Sequence, residues 1–375
     1  MQSQRSLFDI PDDVAYLNCP YLGPLMRPVV EAGHAGVDRK ARPWEITPPD
    51  FFSEAETARS VFAQLIGGDA EGVAIIPSVS YGIATAAKNL RIERGQSVVV
   101  LAEQFPSNVY EWRAAAQRAG GRVVTVPRPP DHDWTRSLLD HVDDDTAIVA
   151  VPNCHWTDGT VLDLARVREA TRSAGAALVV DAIQSLGARP FDVAAVQPDW
   201  LVTAVYKWML GPFGLGFCWA APHHRDGEPL ERNWITRAGA EDFTGLVEYT
   251  DDFAPGARRY DMGERSSFVN LPMAIAAMEQ ILEWGVPAIE SYAGALTDEA
   301  AEGAEELGWE VAPAAARSRH LIGLRRPGGI PEKLPALLKD ANVSVSVRGD
   351  SIRVSPHVYN DREDVARLLE VLERA

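Results

Sequence analysis

Two residues of this chain stand out for chemistry: Asp181, which follows the apolar run Ala177-Leu-Val-Val180, and Lys207, inside the apolar segment Thr203-Ala-Val-Tyr-Lys207-Trp. A lysine amine in apolar surroundings can hold an aldehyde as a Schiff base. A carboxylate at a strand mouth can pair with a pyridine nitrogen and keep it protonated, so that the ring draws electrons from a substrate α-carbon. The pair therefore suits pyridoxal 5'-phosphate. Taken singly, each residue has a plainer reading: a strand-end aspartate caps the next helix, and a lone lysine in an apolar stretch snorkels. Two neighbours make the combination more specific. Gln184 lies one helical turn past Asp181, and Gly211-Pro-Phe-Gly-Leu-Gly216 follows Lys207. Glycines there let the backbone pass close to a cofactor or a neighbouring subunit.

Positioning these groups requires a scaffold, and the sequence supplies one between about residues 73 and 220. Short apolar runs at 73–76, 97–101, 122–126, 146–151, 177–180, 200–203 and 214–219 alternate with helical patterns. Most are apolar on both faces, which predicts an α/β fold with a doubly wound, mostly parallel sheet that binds ligands at its strand C-terminal ends. After residue 270 the pattern changes to alanine-rich helices at 271–284 and 287–307. Alternating runs 343–347 and 351–355 then flank Arg348-Gly-Asp350 as a hairpin signal, and 361–375 reads as an amphipathic terminal helix. The expected organisation is a large domain over 15–265 and a small α+β domain over 266–375, with 1–14 packed near the latter.

The net charge of −17 disfavours nucleic acid as a partner, because phosphate binding needs a basic surface. No run approaches the roughly 20 apolar residues of a membrane helix. The start, Met1-Gln-Ser-Gln-Arg-Ser, leads into Phe8-Asp-Ile-Pro without the apolar stretch of a secretion signal, so a cytoplasmic location is expected. Cys19, Cys154 and Cys218 are odd in number and far apart, which argues against a disulfide framework. No cysteine pair has zinc-ligand spacing. The adjacent His223 and His224 are expected to point in different directions, so no metal is predicted.

These motifs, in this order, resemble the class V aminotransferase group of fold type I pyridoxal phosphate enzymes. That group includes cysteine desulfurases, selenocysteine lyases, kynureninases and isopenicillin N epimerases. The likeness runs from Tyr16-Leu-Asn18 to Arg353-Val-Ser-Pro-His-Val-Tyr-Asn360. It implies that Ser78, Val79 and Ser80, opening a helix after the first apolar strand, cradle the cofactor phosphate, with the helix dipole assisting. Phe105 matches an aromatic that stacks on the cofactor ring; desulfurases usually place histidine there, kynureninase-like members phenylalanine. Tyr206 resembles a phosphate-binding neighbour of the lysine. Asn153, His155, Trp156 and Thr157 fall where relatives touch the cofactor oxygen or the substrate. Gly263-Glu-Arg-Ser266 stands where many relatives have a Gly-Thr reaching the partner's phosphate, with Arg265 as a substitute anion donor. Arg353 aligns with the arginine that clamps the substrate α-carboxylate, and a homodimer is implied.

The expected activity is a class V aminotransferase acting on a small-molecule amino acid, with Lys207 as the base at the α-carbon. The alternative is a C–S or C–C lyase, or an epimerase, without a catalytic cysteine. A persulfide-forming desulfurase carries a cysteine shortly before the carboxylate arginine, and the span from Glu332 to Arg353 has none. A dinucleotide-binding oxidoreductase would want Gly-x-Gly-x-x-Gly after the first strand, where Pro77-Ser-Val-Ser stands instead.

Overall fold

The computed structural model describes residues 1–375. After a short β1 (Ala15–Tyr16), the strands β2 (Val73–Ile76), β3 (Ser97–Leu101), β4 (Arg122–Val126), β5 (Thr146–Pro152), β6 (Ala177–Asp181), β7 (Trp200–Ala204) and β8 (Gly216–Ala220) follow in chain order. The last seven form one sheet in the order β2-β8-β7-β6-β5-β3-β4. All pairings are parallel except those of β8, which runs against both of its neighbours.

Alternate residues of the central strands feed two separate cores. Ile75, Val99, Val149, Leu178 and Leu201 point into one. Ala74, Val98, Ile148, Val179 and Val202 point into the other. Helices cover both faces, so the runs show no polar alternation. Each fully buried Val, Leu or Ile contributes roughly 1.5–3 kcal/mol from its removal from water. Only β4, at the edge, carries exposed residues.

Lys207 sits in the return between β7 and β8. Strand β8 starts at Gly216 rather than at Gly214, as the sequence suggested, because Gly214 turns the chain with φ +84°. Gly216 is pressed against β7; a Cβ there would lie 2.4 Å from the Thr203 carbonyl oxygen.

The C-terminal part has its own sheet, β9 (Glu310–Val311), β10 (Ile322–Arg325), β12 (Ser346–Arg348) and β13 (Ser351–Val354), in the order β12-β13-β10-β9. The expected hairpin arm 343–347 is in fact split: β11 (Val343–Ser344) leaves the sheet to pair in parallel with β1, and only 346–348 pairs with 351–354. Ala15 and Leu17 thus share the third core with Leu296, Ile322, Ile352 and Leu368. The first residues also reach this layer, through Gln4 N–H to Val358 O at 2.7 Å and Arg5 to Asp364 at 3.1 Å. Helix Asn270–Trp284 instead buries Leu271, Met278 and Ile281 in the first core of the large sheet. The chain then turns at Gly285, φ +79°, into helix Val286–Glu306.

Candidate active site

The C-terminal ends of β2, β3, β5 and β6 and the Lys207 turn deliver most of the candidate groups. Asp181 closes β6, where its Oδ1 accepts the Ile183 N–H at 3.1 Å. It is fully buried, and burial pushes its carboxyl up, opposed by that N–H and by the Lys207 charge. Burial likewise pushes the Lys207 amine down; the Asp181 charge opposes the shift, and Arg353 and Arg348 add to it. A depressed lysine pKa leaves more of the amine neutral and nucleophilic near pH 7.

Around the lysine, Nζ stands 5.5 Å from the ring centroids of both Phe105 and Tyr206. Phe105 in turn meets Trp156 edge to face at 5.3 Å. Trp156 is held by its indole N–H on Glu103 O at 2.6 Å. Its carbonyl accepts from Arg353 at 3.0 Å. Arg353 is 1% exposed, its Nε has no partner, and no carboxylate pairs with it. Burial, and then the charge of Arg348, press its guanidinium down to about 9, still protonated at neutral pH.

Gln184 lies in a tight turn rather than on a regular helix. Its carbonyl accepts from His320 Nε2 at 2.7 Å, and its side-chain Oε1 is buried without a partner. Ser78 caps helix Val79–Asn89: its Oγ accepts the Tyr81 N–H and lies 2.9 Å from the exposed Ser80 Oγ. This arrangement presents two hydroxyls and the free N–H groups of a helix start.

Several expectations need correction. His155 is fully buried, with Nδ1 on Thr157 Oγ1 at 2.8 Å and Nε2 on Ala102 O at 3.1 Å. Both ring nitrogens are engaged within the protein, so the ring does not face a substrate. Asn153 donates its side-chain NH₂ to the Ser185 hydroxyl at 2.9 Å and its main-chain N–H to the Asp181 carbonyl, which leaves its Oδ1 uncommitted. Arg265 turns inward to Asp261 at 2.6 Å and is not available as an anion donor on the surface. His223 and His224 do not diverge. Both place Nε2 on Asp199 Oδ1, at 3.0 and 3.2 Å.

Other contributors carried no local signal. Gly23 lies against the lysine turn; its N–H donates to Tyr206 O at 2.8 Å, and a Cβ would meet Lys207 O at 2.2 Å. Trp208 packs between His320, 4.5 Å away edge to face, and His357, whose Nε2 meets the Trp208 carbonyl at 3.1 Å. Burial pushes the pKa values of these imidazoles down to about 3 and about 4, so both are neutral. The Cys19 thiol reaches Lys207 O at 3.6 Å. Burial pushes Cys19, Cys154 and Cys218 up to about 12, 11 and 12, which leaves no thiolate near neutrality.

Residues 49–368 match the class-V aminotransferase family. The chain belongs to that family. Among its relatives, the uncharacterised aminotransferase YcbU of Bacillus subtilis is 29% identical over 322 residues, covering 84% of this chain and 82% of the relative. A kynureninase of Deinococcus radiodurans is 27% identical over 307 residues, covering 79% and 72%. In fold, the chain is similar to a cystine C–S lyase solved with cysteine persulfide, with TM-score 0.86, 19% identity and coverage of 96% and 98%. This class-V enzyme works with pyridoxal 5'-phosphate. Its residues fit that group: the uncommitted side-chain amide of Gln184, the buried Asp181 whose charge reaches Lys207, and the open helix start at Ser78 suit an aromatic ring with a phosphate.

Proposed function

We propose that the protein is an aminotransferase that takes the amino group from a small-molecule amino acid, with its cofactor carried on Lys207. The observation that carries this reading is Arg353. A buried guanidinium with no acid partner, in the cluster that holds the lysine, calls for an anion from outside the chain. A bidentate grip on an α-carboxylate would fix the amino acid with its α-carbon near the Lys207 amine.

The cofactor, when bound, supplies an electron sink for the bonds at the α-carbon. The chain's own groups do the rest. Ser78, Val79, Ser80 and Tyr206 would bind the phosphate, and Phe105 would cover the ring. Gln184 would turn its side-chain amide NH₂ to the ring oxygen, and the Asp181 carboxylate would hold a proton on the ring nitrogen. The Lys207 amine would be the base that takes the proton from the α-carbon.

Borohydride reduction and peptide mapping are expected to fix the cofactor on Lys207, and a label on another lysine would overturn the assignment. Incubation with amino acids and a 2-oxo acid should yield a new amino acid. Ammonia with pyruvate, or a released side-chain fragment, would identify a lyase instead, and loss of chirality an epimerase.

A further inference from the structure

We infer that the amino acid taken by this site bears a second anionic group on its side chain, and that Arg348 receives it. The inference rests on the role of Arg353 proposed above. Strand pairing sets Ser346 opposite Arg353 and Arg348 opposite Ser351. Arg348 lies two residues from Ser346, so it is on the same face as Arg353, at the diagonal position of the hairpin. Diagonal neighbours are separated by roughly 7–8 Å at their origins, within the reach of long side chains.

Trp156 joins the two arginines. Its carbonyl accepts from Arg353 at 3.0 Å, and its ring lies under the Arg348 guanidinium at 5.6 Å. The same ring touches Phe105, which borders Lys207 Nζ. Arg348, Arg353 and Lys207 therefore converge on one region, and each arginine's charge is felt by the lysine. Asp181 is the carboxylate whose charge acts on the lysine there, and neither arginine has a carboxylate within salt-bridge distance.

The other nearby acids are engaged elsewhere. Asp350, on the same hairpin turn, pairs with Arg325 at 3.3 Å. Glu103 pairs with Arg128 at 2.7 Å. Asp158 is also bound to Arg128. Arg348 has only its neighbour's carbonyl, Val347 O, at 2.8 Å. An α-carboxylate would satisfy one arginine and leave the second, half-buried one without an anion. A dicarboxylic amino acid satisfies both.

The test is a spectral titration of the cofactor-loaded protein with glutamate, aspartate and 2-aminoadipate, and with the amides glutamine and asparagine as neutral isosteres. An acidic amino acid should bind at least about tenfold more tightly than its amide, as a charge-assisted contact implies. Arg348→Met should remove most of that preference, weakening the acidic amino acids far more than their amides, with cofactor loading unchanged. Arg348→Lys should retain part of it. Equal affinity for acid and amide in the wild type would overturn this inference while leaving the aminotransferase reading standing. A fall in cofactor loading in Arg348→Met would overturn it too, by assigning the arginine to the cofactor. No spectral response to any amino acid would overturn the aminotransferase reading itself.

Discussion

A guanidinium fork and an ammonium carry the same charge, yet they are not equivalent at a carboxylate. Arg353→Lys exchanges a bidentate contact for a point charge and also leaves the Trp156 carbonyl without its donor. We expect amino-acid binding to weaken by about 1–3 kcal/mol with cofactor loading unchanged. Titration against an amine of the same side chain but lacking the carboxylate checks this; equal discrimination in both proteins would remove Arg353 from the clamp. At this scale the placement of Asp181, Lys207 and Ser78 was legible, because each lies at or just beyond a strand end that the apolar runs announce. His320 and His357 were not. Each works on a main-chain carbonyl more than a hundred residues away, Gln184 for one and Trp208 for the other. His155 misled for a related reason. Its place after β5 is a ligand-binding place, but its ring turns back onto Trp134, stacked at 5.3 Å.

Elements are anchored by buried charge. Asp199, just before β7, accepts from Arg168 and from the Leu178 N–H at 2.8 Å each, and from both histidines of the 222–224 turn. One carboxylate thus ties helix Leu164–Ser173, β6 and the turn after β8 to the base of the sheet. Burial alone would raise its pKa; the His224 and Leu178 hydrogen bonds and Arg168 outweigh burial and hold the carboxyl well below the ordinary carboxylate range. A depressed folded-state value means the contribution is present above about pH 4 and is lost as the pH falls below it. Asp199→Asn turns an NH₂ toward groups that are themselves donors. We expect a loss of about 1–3 kcal/mol at neutral pH, and a smaller difference from wild type in acid, measured by denaturant unfolding across pH. Adjacent histidines converging on one oxygen were not foreseeable from spacing alone, since a tight turn and free rotamers undo the divergence expected of a regular element. The split of the 343–347 arm was equally hidden, because alternation reports which face is buried but not which strand lies alongside.

At the scale of the whole molecule, three exposed apolar side chains lie beside the lysine turn. Phe213, 70% exposed, packs on Tyr206 at 4.7 Å, and Tyr21 and Leu22 protrude next to Gly23. We propose that a second copy of the chain covers this surface. Light scattering should give twice the 40.9 kDa chain mass, and Phe213→Asp should lower it toward one; an unchanged monomer mass for the wild type would dismiss the dimer. The doubly covered sheet followed directly from strands apolar on both faces. The sorting of the ends did not: β1 and the helix Asn270–Trp284 each pack with the layer opposite to the one their sequence position suggested.

The pairing of β1 with β11 sets a schedule for the nascent protein. Asn18 waits for the Ser346 hydroxyl, which is made 328 residues later. At roughly 5–20 residues per second, that wait lasts about 16–66 s. Throughout it the lysine turn can emerge from the ribosome and the large sheet can form, but the arginine hairpin does not yet exist. On the roles proposed above, the polypeptide acquires the lysine that would carry the cofactor well before the hairpin that would grip an amino acid, and becomes competent only once that hairpin has been made.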